Sequence, residues 1–300
     1  MTTASPFQEL QPPSLRGRLF VCRDFRSRAL LPRDIFVWVP DGGPGARFPV
    51  LYMQDGQNLF DARLVAFGTA WEADRSMARL ADSGAIAPAI IVGIGSTADR
   101  FVEYAPELIL DRLAEPARRA IEAAWGGGAR SGSYAQMVME DIRPLIDAHF
   151  PTNSAASATF VGGSSMGAVA AAELLARYPN RFAGAALLSA HFSLLPVTGA
   201  DPLPAGFAEQ VAAAVGSFAR ACLPPAGHHR IWLDRSTLGI DAFYPPSHAA
   251  FVAALTGLGY VEGIDMTASV YPGVGHDEDA WRSRLDDVLG FLLAPARAAQ

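Results

Sequence analysis

The segment Thr159-Phe160-Val161-Gly162-Gly163-Ser164-Ser165-Met166-Gly167 constrains this chain more than any other. Its opening residues are apolar and β-prone. The residues after it, with Ala168, Ala170, Ala171 and Ala172, read as a helix stopped at Pro179-Asn180. A strand that passes into a helix around a single serine must turn very sharply. Glycines at 163 and 167 remove Cβ atoms that would collide in such a turn. Gly163, Ser165 and Gly167 spell G-x-S-x-G, so the Ser165 hydroxyl is exposed at the positive end of the following helix, a place that favours a developing oxyanion. Ser164 is adjacent but does not hold the central position.

The rest of the chain supplies the strands and helices such a turn needs. Leu15–Cys22, Asp34–Pro40, Phe48–Met53, Ala89–Ile94, Thr159–Val161, Phe182–Ser189, Arg230–Leu233 and Thr267–Tyr271 read as strands. Trp71–Leu80, Tyr134–Phe150, Met166–Tyr178 and Glu278–Leu293 read as helices, the second with Met137, Ile142, Leu145 and Ile146 on one side. This alternation predicts an α/β fold, a mostly parallel central sheet with helices on both faces. Residues 1–14 read as a loose leader ending at Pro12-Pro13, and 15–300 as a single domain. Two stretches, 105–133 and 191–228, hold Pro, Gly and Ala runs and are expected to form irregular walls over the sheet's carboxyl edge.

Composition narrows the partners. Half of the 300 residues are apolar, enough for a full core. Net charge is −6 with no basic run, which argues against a nucleic-acid partner. Apolar stretches such as Ala183–Ala190 are too short to span a bilayer, so no membrane association is expected. Met1 to Leu10 lacks the pattern of a secretory signal. Cys22 and Cys222 read as two free thiols in a reducing compartment, and the expectation is a cytoplasmic protein. Asp55, Asn58 and Asp61 lack the further ligands and terminal Glu of a calcium loop, so neither metal nor organic cofactor is expected.

An activated serine needs a base, and the base an orienting carboxylate, in the chain order serine, acid, histidine. His149 precedes the serine, His228-His229 read as a solvated pair, His248 falls within a helix, and His191 precedes any acid in the right place. His276, in Gly273-Val274-Gly275-His276 between a strand and the last helix, is the candidate base. The acid belongs in the turn after Arg230–Leu233, where spacing leaves both Asp234 and Asp241 open. Acyl transfer also needs two oxyanion donors. The backbone N–H of Met166 is one candidate and that of Gln57, after the turn at Gly56, is the other.

Several blocks together resemble the putative esterase family of α/β hydrolases, which includes enterochelin-esterase-like proteins, feruloyl and acetyl-xylan esterases, S-formylglutathione hydrolase and the antigen 85 acyltransferases. The resemblance runs over about residues 33–293. It is carried by Pro49 to Asp61, by Val92-Gly93-Ile94 with Arg100 and Glu103-Tyr104-Ala105-Pro106, by Gly163 to Ala168 with Tyr178 to Gly184, and by Gly275-His276 with Trp281. It implies an α/β-hydrolase fold and serine ester hydrolysis. It also favours Asp241 as the acid, because Asp234 to Asp241 is similar to the family's D-x-G-T-x-x-x-D turn, with Ser236 where glycine is usual.

The expected enzyme is therefore a serine esterase using Ser165, His276 and Asp241, with a small-molecule or sugar-linked ester as substrate and an oligomeric state the sequence leaves open. Acyl transfer to an alcohol by the same residues, and a catalytically silent ligand-binding protein, are the alternatives. Phe60, Trp71, Tyr104, His191 and Phe192 follow strand ends or lie in wall loops and are the candidate substrate-binding side chains.

Overall fold

Period-two alternation along the apolar runs sorts side chains to the two faces of one sheet. In the computed structural model, which describes residues 5–63, 65, 68–195 and 204–295, Ile35 and Val37 join one core cluster while Phe36 and Trp38 join the other. The same division separates Val50 and Tyr52 from Leu51 and Met53. Both faces are therefore buried, as a sheet covered by helices on each side requires.

The strands are β1 (Gln8–Leu10), β2 (Arg18–Phe25), β3 (Arg33–Val39), β4 (Val50–Gln54), β5 (Ile90–Ile94), β6 (Thr159–Ser164), β7 (Gly184–Leu188), β8 (Arg230–Ser236) and β9 (Met266–Tyr271). Their order in the sheet is β1-β2-β3-β5-β4-β6-β7-β8-β9. The pairings among β1, β2, β3 and β5 are antiparallel, and every pairing from β5 to β9 is parallel. The helices are α1 (Ala73–Asp82), α2 (Arg100–Tyr104), α3 (Glu107–Leu110), α4 (Glu115–Trp125), α5 (Ser131–Gln136), α6 (Arg143–His149), α7 (Met166–Arg177), α8 (Phe207–Cys222), α9 (Pro245–Gly257) and α10 (Glu278–Leu293). A π-helical segment, Met137–Ile142, joins α5 to α6, so the stretch read as one helix is continuous but irregular.

Residues at i, i+4, i+7, i+8 and i+11 of α10 (Trp281, Leu285, Val288, Leu289 and Leu292) are buried against the Leu51/Met53 face. Each such burial contributes about 2 kcal/mol, which holds the helix against the sheet. Helix α7 is buried from Met166 to Leu175, and its alanines let it lie close under the other face.

Three expectations change. Residues 105–133 and 191–228 are largely helical where they are described, not irregular. The α4 segment buries Ala117, Ile121 and Trp125 at four-residue spacing, and α8 buries Phe207, Val211, Ala214, Val215, Phe218 and Ala219. Most of their described Pro and Gly residues fall at or near element ends, with Gly216 inside α8 the exception, and residues 196–203 lie outside the described residues. Within the stretch read as a leader, Gln8–Leu10 pairs with β2 as an edge strand. Strand β8 runs on to Ser236, paired with β9 through Tyr271, so Asp234 lies within a strand and not after it.

Candidate active site

Ser165 sits at φ 55 and ψ −124, between the end of β6 and the first residue of α7. This is a costly conformation for a residue with a Cβ, and it persists because the surroundings leave no alternative. The Ser165 N–H is held by the Leu188 carbonyl at 2.9 Å, and its carbonyl accepts from His191 N at 3.2 Å. A Cβ on Gly163 would stand 2.7 Å from the Gly167 backbone, and one on Gly167 would stand 2.9 Å from the Gln54 side chain. The two glycines are thus required by closeness of approach.

The facing loop follows β4. Here the left-handed residue is Asp55 at φ 56, not Gly56, which corrects the reading that Gly56 makes the turn. Gly56 has another role: a Cβ there would lie 2.2 Å from the Gly93 backbone, so glycine lets the loop rest directly on β5. Arg100 grips Asp55 with two hydrogen bonds of 2.7 and 2.8 Å. The Gln57 amide exchanges two hydrogen bonds with Ser96, at 2.9 and 3.1 Å, and Tyr134 donates to Gln54. The loop is rigid as a result. Gln57 lies in the short 3₁₀ turn Gly56–Asn58 and Met166 is the first residue of α7, so both N–H groups belong to helical first turns that leave their donors free of intrahelical acceptors.

His276 follows β9 in the loop before α10. Its Nδ1 lies 2.5 Å from Asp241 Oδ2, a short hydrogen bond to a fully buried carboxylate. The other carboxylate oxygen, Oδ1, accepts from Ser236 N at 2.7 Å. The ring is wedged edge-on between Trp281, centroids 5.0 Å apart, and Tyr244, 5.9 Å apart. Burial and the Asp241 charge raise the Tyr244 pKa well above its ordinary value, and the adjacent Ser165 lowers it. Tyr244 therefore lies beside both the serine and the histidine–aspartate pair. An imidazole held this way presents Nε2 to a nearby hydroxyl and can take its proton.

Asp234 is elsewhere. It shares the β8 face of Trp232, and it accepts from Arg284 Nη2 at 2.7 Å, Trp232 Nε1 at 2.7 Å and Ser189 N at 2.8 Å. Burial raises its pKa and these three donors lower it. Every contact is a donor, so the carboxylate is an anion buried under α10. Ser236, where a glycine is usual, has ordinary strand backbone, and its hydroxyl accepts from Arg284 at 3.1 Å.

The other candidates divide. Trp71 packs on Trp281 at 5.7 Å, and His191 stands 2.8 Å from the Tyr244 hydroxyl, so both adjoin His276 through one neighbour. Tyr104 is fully buried beneath Arg100 and edge-on to Tyr134. Phe60 packs into the core on the α10 side, and Phe192 stacks on Phe251 at 4.7 Å in the opposite core. Phe192 is 1 % exposed and lines no surface, so packing is its role. Asp277 caps α10 through Ala280 N, and His149 bonds the Leu145 carbonyl on the outside. Sequence reasoning missed Tyr244, whose position three residues after Asp241 carried no sign of its contacts. It also missed Arg284, an inconspicuous helix residue. Among the described residues no group of three or more His, Cys, Asp and Glu could hold a metal ion, and no helix is long and apolar enough to cross a membrane.

Comparison with known proteins agrees with this fold. A ferulic acid esterase superimposes with a TM-score of 0.62 at 17% identity, over 93% of this chain and 98% of that one. The feruloyl esterase module from Clostridium thermocellum gives 0.62 at 15% identity, over 100% and 96%. The enterobactin esterase from Shigella flexneri gives 0.60 at 19% identity, covering 93% of this chain and 60% of that longer one. No curated protein sequence matches the chain. The family model described as "Putative esterase" matches residues 31–292, nearly the whole chain. This protein, an α/β hydrolase, belongs to that family of carboxylic ester hydrolases.

Proposed function

We propose that the protein hydrolyses carboxylic esters through an acyl-enzyme formed on Ser165, with His276 as base and acid and Asp241 as the orienting carboxylate. The observation that carries this reading is the 2.5 Å bond from His276 Nδ1 to Asp241, beside a serine held in a strained turn. With its proton on Nδ1, the imidazole has Nε2 bare to receive the Ser165 proton as the oxygen attacks the ester carbonyl. The Met166 and Gln57 N–H groups then stabilise the oxyanion, and collapse expels the alcohol with the proton returned by His276. Water repeats the sequence on the acyl-enzyme and releases the acid. No step calls for a metal or an organic cofactor.

The substrate is read as a small-molecule or sugar-linked ester. The similar structures include esterases of ferulic acid and enterobactin. That likeness favours an aryl acyl group. Ser165→Ala should remain folded and lose p-nitrophenyl acetate hydrolysis by on the order of 10⁴-fold or more. A fluorophosphonate probe should label the wild type at Ser165 and leave the variant unlabelled. Near-normal turnover in the variant, or label on another serine, would overturn the assignment. A panel of acetyl to aryl esters reads the acyl preference directly.

A further inference from the structure

Behind Tyr244 a chain of hydrogen bonds fixes which way its hydroxyl points. His191 is 2 % exposed. Its Nε2 lies 3.0 Å from the Leu195 carbonyl and its Nδ1 lies 2.8 Å from the Tyr244 oxygen. A carbonyl can only accept, so Nε2 carries a proton. Burial pushes the ring's pKa down to about 4, which leaves the imidazole neutral near pH 7 and Nδ1 without a proton. A bare ring nitrogen can only accept, so the phenol donates its one proton to His191. What the Tyr244 oxygen turns toward Ser165 is therefore a lone pair.

This polarity excludes Tyr244 as an oxyanion donor unless its bond to His191 breaks. It suits the oxygen to accept a hydrogen at the reacting centre. In the free enzyme the adjacent Ser165 hydroxyl can supply it. Once Ser165 is acylated that hydrogen is gone, and the acceptor must find another donor or stay unsatisfied in a buried place.

We propose that Tyr244 is a catalytic residue of the second half-reaction, accepting one hydrogen of the water that attacks the acyl-enzyme while His276 takes the other. The inference rests on the Ser165 acyl-enzyme reading and deepens it. The water oxygen forms the new bond to the acyl carbon and the carbonyl electron pair moves to the oxyanion. One water proton goes to Nε2 of His276. Collapse breaks the bond to Ser165 Oγ, which takes that proton back. The second water hydrogen stays on the product acid throughout, held by Tyr244 until the acid leaves. An alcohol has a single hydroxyl hydrogen, which His276 takes, and it has none left for Tyr244. The site therefore favours water as the acyl acceptor and hydrolysis over acyl transfer.

Tyr244→Phe removes the acceptor and keeps the ring. With p-nitrophenyl acetate in water containing methanol, acylation in the pre-steady state should stay within about threefold of wild type. Deacylation should slow by about tenfold or more, the loss of one well-placed hydrogen bond. Acetylated Ser165 should accumulate by mass spectrometry, and the ratio of methyl acetate to acetate should rise about tenfold. His191→Phe frees the phenol proton to turn toward the nucleophile. It should shift the product ratio the same way with the hydroxyl still present, and it decides the matter alone if Tyr244→Phe does not fold. An unchanged product ratio in the folded variants, or equal losses of acylation and deacylation, would overturn the role of Tyr244 and leave the acyl-enzyme standing. If neither wild type nor variant ever carries acetyl on Ser165, the acyl-enzyme reading itself falls, and this role with it.

Discussion

Asp234 and Asp241 stand at the two ends of one eight-residue segment, yet they belong to different parts of the molecule. Asp234 lies inside β8 and faces α10, where Arg284, Trp232 and the Ser189 N–H surround its carboxylate with donors. Asp241 lies past the strand, in the turn Gly239–Phe243, and meets one histidine and one backbone N–H. Both are fully buried carboxyl groups with short hydrogen bonds. The difference is what they hold. Asp234 fixes an arginine that cannot give up its proton, so the pair is structural. Asp241 fixes an imidazole that can take and return one. Ser236 touches both, giving its N–H to Asp241 and accepting Arg284 on its hydroxyl, so the structural pair supports the geometry of the other.

The sharpest way to break this comparison is Asp241→Asn. It keeps the shape, removes the charge facing His276 and favours the wrong tautomer, so kcat should fall by about 10⁴-fold. Stability should change little. Asp234→Asn should do the reverse. It leaves Arg284 buried beside a neutral amide and should cost about 3 kcal/mol of unfolding free energy by denaturant titration. The fraction that stays folded should keep kcat within about tenfold. If Asp234→Asn is the crippled variant while Asp241→Asn works, the two carboxylates have been assigned the wrong way round.

Acid sharpens the same contrast. His191, two bonds from the Asp241 end through Tyr244, has its folded pKa pushed below the unfolded value of 6.5, to about 4. A lowered histidine pKa means that the unfolded chain binds more protons between those values. Its contribution to stability is complete above about pH 6.5 and is lost as pH falls toward about 4, by at most about 3 kcal/mol. Wild type should therefore lose stability between pH 6.5 and 4.5 faster than His191→Phe. Melting curves of equal pH slope in the two proteins would show that His191 is not held neutral.

Much of this architecture is legible in the chain. The apolar runs at 48–53, 89–94, 159–161 and 182–189 give strands within a few residues, because each strand is buried on both faces and must be apolar throughout. The final helix matches its expected limits, Glu278–Leu293. What failed did so for local reasons. Alanine-rich α4 and α8 hid their apolar face, since alanine packs without standing out. Strand β8 runs past Leu233 through charged residues, because pairing with β9 satisfies its backbone wherever its side chains point.

The sequence by itself determined the strand-to-helix turn at Ser165, the loop at His276 and the glycine pattern that a close-packed elbow demands. The elbow itself is local, since a Cβ on Gly163 would meet the Gly167 backbone, whereas the glycine at 167 answers to Gln54 and Asp55 of the facing loop. Only the tertiary structure decided which aspartate meets His276. That choice depends on where β8 ends and on which face Asp234 emerges, and strand length is set by the neighbour strand and not by the strand's own residues. The tertiary structure also decided the polarity of Tyr244. Nothing within Phe243-Tyr244-Pro245 fixes a phenol's proton; a carbonyl at Leu195, reached through His191 from another loop, does.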